Sequence, residues 1–564
     1  MTRTITAPPA GRDDLPAFPA PTLATELTGT WRLVRLALRR DRVLLPVWVL
    51  GLVALLVFTV VSIVGLYDTE ADRLQYATIA ATNAVARAVD GPMSGTSLGA
   101  IVMTEIFGFL AVLVGIMSAQ AVVRHTRLEE ETGRAELVGS AIVGRHARLV
   151  AALVVALVGN VAVGAASTLT LVLADLPWRG SLLAGLAFAG IGLTFGAVAA
   201  ITAQVSETAR GANGLAGLAI GVAFLLRAVG DAFGSVDATG VRVVSAWPSW
   251  LSPIGWGQQV RPFGGDHAAL LLLYAASVVA LVAAAFVLTG HRDVGAGMRS
   301  VRPGPATAAP ALTSPVGLAW RLQRGPLVAW GLGVLVAAAA FGAIADEVDA
   351  LLETSDDLVA LLGELGASDV LLDLYAAFMM ALLAMVVGAY LAQAVLRVRA
   401  EETAGRAEPV LATAVGRSRY LASHVVLAVA GASLVLLLVG LVAGTVGGLV
   451  TGEWGARFGD WVVAAVVSLP AVLVLGAVTI AAIGWLPRFA VPIAWTAVVL
   501  SLVVGQFGGL FDLPQWALNV SPFTHVPAVP AEELQWPPLL ALTAVALVVG
   551  ALGAIGWRRR DVDV

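Results

Sequence analysis

The sequence predicts an all-α integral membrane protein of about twelve transmembrane helices, arranged as two parallel six-helix repeats. Three observations predict it. Hydrophobic residues make up 59% of the 564 positions and charged ones 13%, with a mean hydropathy of +0.88, well above the range of soluble domains. The apolar residues fall into runs of about 20 or more, enough to cross a hydrocarbon core of about 30 Å as helices, and lack the short alternating strands of a closed barrel. One polar segment also occurs twice. Glu-Glu-Glu-Thr-Gly-Arg-Ala-Glu over 129–136 returns as Glu-Glu-Thr-Ala-Gly-Arg-Ala-Glu over 401–408, each preceded by Ala-Gln-Ala-Val at Ala119 and Ala392.

The elements follow in order. Residues 1–30 carry Pro8, Pro9, Pro16, Pro19 and Pro21 with acids and no apolar stretch. They read as a disordered cytoplasmic tail, not a cleavable leader. Trp31 to Arg40 alternates arginines and leucines at helical spacing, which suits a helix lying in the membrane interface ahead of the first span; a similar stretch precedes the first span of the second half. The first half, 31–291, holds spans near 43–66, 98–123, 148–174, 182–206, 211–231 and 267–290. The Gly-, Pro-, Ala- and Ser-rich stretch 292–316 reads as a cytoplasmic linker. The second half, 317–564, holds spans near 326–345, 370–396, 420–450, 461–486, 489–511 and 538–557.

Orientation follows from the basic residues. All 34 are arginine, and they crowd before the first span (Arg32, Arg35, Arg39, Arg40, Arg42), in both repeated loops, in the linker and at Arg558, Arg559 and Arg560. The opposite loops are sparse or acidic, as at Asp346, Glu347, Asp349, Glu353, Asp356 and Asp357. The excess of positive charge therefore puts both termini and both repeated loops in the cytoplasm of a plasma-membrane protein. Trp48, Trp178, Trp250, Trp330, Trp461 and Trp557 sit near span ends, where interfacial anchors are expected.

The duplication extends beyond the loops. Arg42 to Trp48 aligns with Arg324 to Trp330 (324 − 42 = 282), Gly133 with Gly405 (405 − 133 = 272), Gly144-Arg145 with Gly416-Arg417 (416 − 144 = 272), and Gly196 with Gly476 (476 − 196 = 280). Ala119 and Ala392 differ by 273, so one residue slips inside the charged loop, and Ser252-Pro253 recurs as Ser521-Pro522. In this order the matches make a tandem repeat. Both halves start on the same side, so the pseudo-twofold axis is expected along the membrane normal, with a pathway between the halves.

Each loop has a physical reading. Arg124 to Glu131 extends the second span as a charged helix, Gly133 (and Gly405) allows a reversal that a β-carbon would resist, and Arg-Ala-Glu opens a short amphipathic helix. Leu137, Val138, Ala141 and Ile142 form its apolar side, and Gly144 and Gly416 are expected to stop it. One such charge run could be a solvated loop; two copies argue for something gripped twice.

Here a resemblance enters. Glu-Glu-Glu-Thr-Gly-Arg-Ala-Glu-Leu over 129–137 with Gly144-Arg145 resembles the Glu-x-Gly-Thr-x-Glu-x-Leu and Pro-Val-x-Arg pattern that follows the second span of ABC-2 type exporter permeases. The fused double form and the Arg-, Ala- and Val-rich composition resemble actinobacterial polyketide-antibiotic (tetronasin-type) exporter membrane subunits. The likeness covers nearly the whole chain in topology, with motif support confined to the two loops. It implies that each loop forms a coupling helix docking on an ATPase subunit, carried by Glu130, Glu131, Gly133, Arg134 and Glu136 in one half and Glu401, Glu402, Gly405, Arg406 and Glu408 in the other. It further implies a partner, a dimer of a separate cytoplasmic ABC ATPase that binds the ATP and Mg; no cofactor is expected in this chain. The cargo implied is a hydrophobic or amphipathic small molecule moved outward. Arg134 and Arg406 stand where the family usually has Thr, and Pro409 stands where the first copy has Leu137, so the two docking contacts are expected to be unequal.

Other functions are poorly supported. A P-loop needs a lysine for the β- and γ-phosphates, and the chain has none, so it is not expected to be an enzyme. The absence of cysteine removes thiol catalysis and thiolate metal sites, and six scattered histidines, His125, His146, His267, His291, His424 and His525, suggest no metal centre. Nothing points to nucleic acid. The rival is a proton-coupled secondary efflux transporter of six-plus-six topology, which needs ionisable groups inside the membrane. Glu105 is the candidate there, and its counterpart is Phe378 (378 − 105 = 273). It either lines the substrate pathway, suiting a cationic compound, or is a structural carboxyl bonded within the bundle. Arg227 and Asp231, one turn apart, read as an ion pair at the outer interface, and Gly211, Gly214, Gly217 and Gly221 as a face for close helix packing.

Overall fold

In the computed structural model, residues 23–139, 142–293, 295–298, 304–345, 370–452, 454–507 and 513–561 are described. Among these, twelve helices are long and apolar enough to cross a membrane, and the only strands are Ser235–Val236 and Val243–Val244, a two-stranded antiparallel ribbon. The chain is an all-α integral membrane protein. It divides into two compact units, Met1–Pro303 and Gly304–Val564, each with its own apolar core.

In the first unit α1 (Leu23–Glu26) and α2 (Thr30–Arg40) precede the span α3 (Leu44–Leu66). Two short helices, α4 (Glu70–Thr82) and α5 (Ala84–Val89), follow on the far side. The span α6 (Leu98–His125) continues into α7 (Arg127–Glu131), and α8 (Arg134–Gly139) follows the turn at Gly133. The remaining spans are α9 (Ala147–Leu173), α10 (Trp178–Val205), α11 (Ala209–Ala232) and α13 (Leu271–Gly290), with the short α12 (Pro253–Gln259) before the last. Side-chain caps start several of them: Ser97 accepts from Ala100 N at α6, and Thr208 from Gly211 N at α11, each satisfying an amide the first turn leaves free.

The second unit runs α14 (Pro315–Ala343), α15 (Val370–Thr403), α16 (Ala407–Leu411), α17 (Arg417–Val450), α18 (Trp454–Val467), α19 (Leu469–Trp485), α20 (Ala490–Phe507), α21 (Gln515–Leu518) and α22 (Trp536–Arg559). Here the expected separate interfacial helix is absent. Its residues are the first turns of α14, which passes through Pro326 without a break. The acidic stretch 346–357 lies outside the described residues.

Close helix packing occurs at other glycines than the sequence suggests. A β-carbon at Gly214, Gly217 or Gly221 would meet nothing within 4 Å, and one at Gly211 would come nearest to Ser206 and Thr208, just ahead of its own helix. The packed face of α11 is instead Ala212, Ala216, Ile220 and Ala223. Backbones touch between α9 and α10, where a β-carbon at Gly164 would lie 2.6 Å from Gly185 O. They touch again between α19 and α22, where one at Gly484 would lie 2.2 Å from Gly553 O. Within lipid, such contact supplies the dispersion that holds helices together. A buried polar pair adds to it: Asn160 Nδ2 of α9 donates to Ser118 Oγ of α6 at 2.7 Å. Two tryptophans expected at the interface are buried instead, Trp461 and Trp557, whereas Trp178 is 69% exposed.

Candidate functional site

The two repeated loops share one construction. The second span of each unit runs on past the apolar stretch, and the turn is made by a glycine in the left-handed region, φ +71° at Gly133 and +67° at Gly405. A β-carbon at either would meet open space, so the requirement is in the backbone and not in room for a side chain. A short helix follows and is held by one alanine, Ala135 or Ala407, both buried and 272 residues apart (407 − 135). Pro409 falls in the first turn of α16, where an amide hydrogen is dispensable, and α16 starts one residue later than α8 in the repeat register. Neither terminal glycine stops the helix as expected. Gly416 is the N-cap of α17, and Gly144 lies against the backbone of Glu26, its amide donating to Thr28 O at 2.9 Å.

The carboxylates that precede each glycine turn are occupied within the chain. In the first unit Glu129 pairs with Arg40 at 2.7 Å and Arg134 at 3.7 Å. Glu130 takes Arg127 at 3.0 Å and both Nη atoms of Arg292, each at 2.8 Å. Glu131 accepts from Ala209 N at 2.7 Å and so caps α11. In the second unit Glu401 pairs with Arg397 at 2.6 Å and Arg406 at 2.8 Å, while Glu402 takes Arg399 at 2.8 Å and both Nη atoms of Arg560 at 2.6 and 2.7 Å. The structural counterparts are therefore Glu129 with Glu401 and Glu130 with Glu402. Glu131 corresponds to Thr403 (403 − 131 = 272). Counting back from Gly133 and Gly405 at the fixed offset identifies Glu129, which a comparison of Glu-Glu strings alone passes over.

What the loops leave outward is a smaller set. Arg134, Glu136, Leu137, Glu408 and Pro409 are exposed, and Leu137 and Ile142 expose 76% and 90% of their surface. Val138 and Ala141 lie outside the described side chains. Large apolar groups left uncovered beside charges have the composition of a protein-contact patch.

Among the described residues, the first loop carries ties that have no counterpart at the second. Buried Asp41, between α2 and α3, meets His125 Nε2 at 2.6 Å and Arg124 at 3.2 Å. Burial pushes its pKa up, but the His125 hydrogen bond and the charges of His125, Arg124 and Arg40 outweigh this and hold it below the usual carboxylate range. Residues 23–29 of the expected tail also lie against this loop, with His146 N donating to Glu26 O at 3.1 Å.

A relative named multidrug efflux system permease protein Rv1217c, from Mycobacterium tuberculosis, is 39% identical over 544 residues, covering 96% of this chain and 97% of its own. A family model described as the C-terminal domain of multidrug efflux system permease Rv1217c matches residues 312–558. The chain belongs to this family of multidrug efflux system permeases. The family model's match contains the whole second loop, and the relative spans both.

Glu105 occupies a different place in this permease. It lies on α6 toward the end remote from the loops, half-buried, and Tyr76 of α4 donates its hydroxyl to the carboxylate; the Tyr67 ring lies 4.7 Å from that of Tyr76. Nearby, Arg227 and Asp231 are 3.4 Å apart and both fully buried, so the pair is enclosed within the unit and not on its outer surface. The guanidinium crosses to α5 and donates to Val89 O at 2.6 Å, through a gap that Gly108 leaves open. Asp90, at the end of α5, is pushed up to about 7 by burial and by the charge of Glu105, with Arg227 opposing. Phe378, the repeat partner of Glu105, is 45% exposed, so the permease carries this polar cluster in its first unit without an equivalent carboxylate at that position of the second.

Proposed function

We propose that this chain is the membrane-spanning permease subunit of an ATP-driven exporter of the ABC-2 type, moving hydrophobic or amphipathic drug-like compounds, antibiotics among them, out of the cell. It sits in the plasma membrane with both termini and both repeated loops in the cytoplasm. A separate ABC ATPase, acting as a dimer with one copy under each loop, binds ATP and Mg and hydrolyses the nucleotide. The observation that carries the reading is the duplicated loop itself. Each copy is braced by buried ion pairs within its own unit, yet turns charged and apolar groups outward at Arg134, Glu136 and Leu137 or at Glu408 and Pro409. A loop built only to be solvated has little reason for such bracing twice. The absence of lysine, and so of a P-loop, supports a division of labour between two polypeptides. The relative's name supports drug efflux as the task.

The test is reconstitution. The purified chain in proteoliposomes is expected to hydrolyse no ATP alone, and to support ATP-dependent efflux of ethidium once a cytoplasmic ABC ATPase is co-purified with it. Efflux driven by a proton gradient without any ATPase would replace this reading with the secondary transporter, for which Glu105 would be the first group to examine.

A further inference from the structure

In each unit, an arginine just past the end of the last span closes off the charged patch of the repeated loop. Arg292 lies two residues beyond α13 and Arg560 one beyond α22. Arg292 presents both Nη atoms to the two oxygens of Glu130, each at 2.8 Å; Arg560 presents its own to Glu402 at 2.6 and 2.7 Å. These are planar, two-pronged contacts, which fix direction as well as distance. All four side chains are largely buried, at 14% exposure or less. A second tie comes from the chain leaving the loop. Arg145 donates to Gly290 O at 2.7 Å, and Arg417 donates to Arg560 O at 2.5 Å, satisfying carbonyls that the helix end leaves open. In the second unit Trp557 adds a third, donating to Arg417 O at 3.2 Å while Arg560 covers its ring.

The same residue types recur in the same roles: Arg127 and Arg399, Glu130 and Glu402, and Arg145 and Arg417 at an offset of 272 (399 − 127, 402 − 130, 417 − 145), with Arg292 and Arg560 at 560 − 292 = 268. The four-residue slip between the loop and the last span has left the pairing intact. The ties of Asp41 and of residues 23–29, by contrast, have no counterpart among the described residues of the second unit. Both flanks of each loop thus converge on the end of one span that is remote in sequence.

We infer that Arg292 and Arg560 are positioning residues that latch each repeated loop to the last span of its own unit, so that displacing the loop moves that span together with the two spans the loop joins. This rests on reading the loops as the element an ATPase drives. A buried pair of this kind resists partial opening, because separating it leaves uncompensated charge away from water, and so it transmits displacement instead of absorbing it.

The chain has no cysteine, so spin labels can be placed uniquely in the full-length protein at Thr132→Cys with His291→Cys, and at Ala404→Cys with Asp561→Cys. Arg292→Glu is expected to broaden the first distance distribution and Arg560→Glu the second. The charge-swapped pairs Glu130→Arg/Arg292→Glu and Glu402→Arg/Arg560→Glu are expected to narrow them again in part, because the new arginine also faces Arg127 or Arg399. Arg292→Lys, which keeps the charge and loses the fork, guards against a variant that fails to fold and should broaden the distribution partially. With the ATPase present, ethidium moved per ATP hydrolysed should fall about tenfold in the single reversals, a loss of coupling in the usual range, and recover partly in the swaps. Unchanged distances in the single reversals would overturn the latch. Broadened distances with undiminished ethidium per ATP would reduce it to packing and overturn the positioning role. If the wild-type chain shows no ATPase-dependent efflux, the proposed function fails by itself, and the latch stands or falls on the label distances.

Discussion

Gly133 and Gly405 show how much of a functional loop can depend on a single missing carbon. Both hold a left-handed backbone with open space around them, so Gly133→Val or Gly405→Val should cost about 1–2 kcal/mol or somewhat more through backbone strain alone. The expected outcome is an otherwise folded protein with faster proteolytic nicking within 127–139 or 399–411, and, with the ATPase, turnover that drives less transport while assembly persists. These glycines were legible because a repeat preserves the residue that only one backbone conformation demands. Glu129 was less so: a string of acids hides which one faces which arginine until a fixed offset is applied. Asp90 was illegible, since its character comes from burial beside Glu105 and Arg227, which meet it only through the fold. Its raised pKa means that the folded state holds a proton between about pH 4 and 7 that the unfolded state has released. Stability should therefore fall as pH rises through that window, and Asp90→Asn should flatten the dependence in thermal unfolding followed from pH 5 to 8.

At the scale of elements, the apolar runs located twelve spans, because a stretch that long without charge has little alternative to crossing lipid; most ends agree within a few residues, but the span expected to start near 326 begins at Pro315 and the one expected to end near 396 runs on to Thr403. The exceptions came from contacts. The stretch before the second unit's first span is continuous with it as α14, and three of the four glycines on α11, Gly214, Gly217 and Gly221, leave open space where a β-carbon would stand. Composition can mark a small residue, but it cannot say which neighbour uses the space. The same point separates Gly144 from Gly416. A β-carbon at Gly144 would lie 2.1 Å from Glu26 O, a backbone atom unable to swing aside, whereas one at Gly416 would meet nothing within 4 Å. Gly144→Ala should therefore expel residues 25–29 from the first loop, at a cost of roughly 1–3 kcal/mol typical of overpacking, while Gly416→Ala should be silent. Limited proteolysis around Thr28 together with thermal unfolding distinguishes them. Equal effects from the two would mean that the segment 25–29 does not brace the loop.

For the whole molecule, the question is whether two loops that are alike inside are alike outside. Their buried pairs correspond nearly one for one, yet the outward residues do not: the first loop exposes Glu136 followed by Leu137, the second Glu408 followed by Pro409. A change from Leu137 to Pro409 at the exposed edge is what different demands on the two contact surfaces would produce, and under the proposed function these are the two docking contacts with the ATPase dimer. A charge reversal at such an edge leaves a desolvated group facing like charge, which costs on the order of 2–5 kcal/mol when the pair is buried on docking. Neither Glu136 nor Glu408 belongs to the internal pairs described above, so Glu136→Arg and Glu408→Arg should leave thermal unfolding of the isolated chain unchanged. Co-purification of the ATPase should weaken in each single variant, by different factors, and most in the double. Wild-type ATPase capture and ethidium efflux in the double variant would mean that the exposed edges touch only solvent, and the ATP-driven reading would lose the observation it rests on.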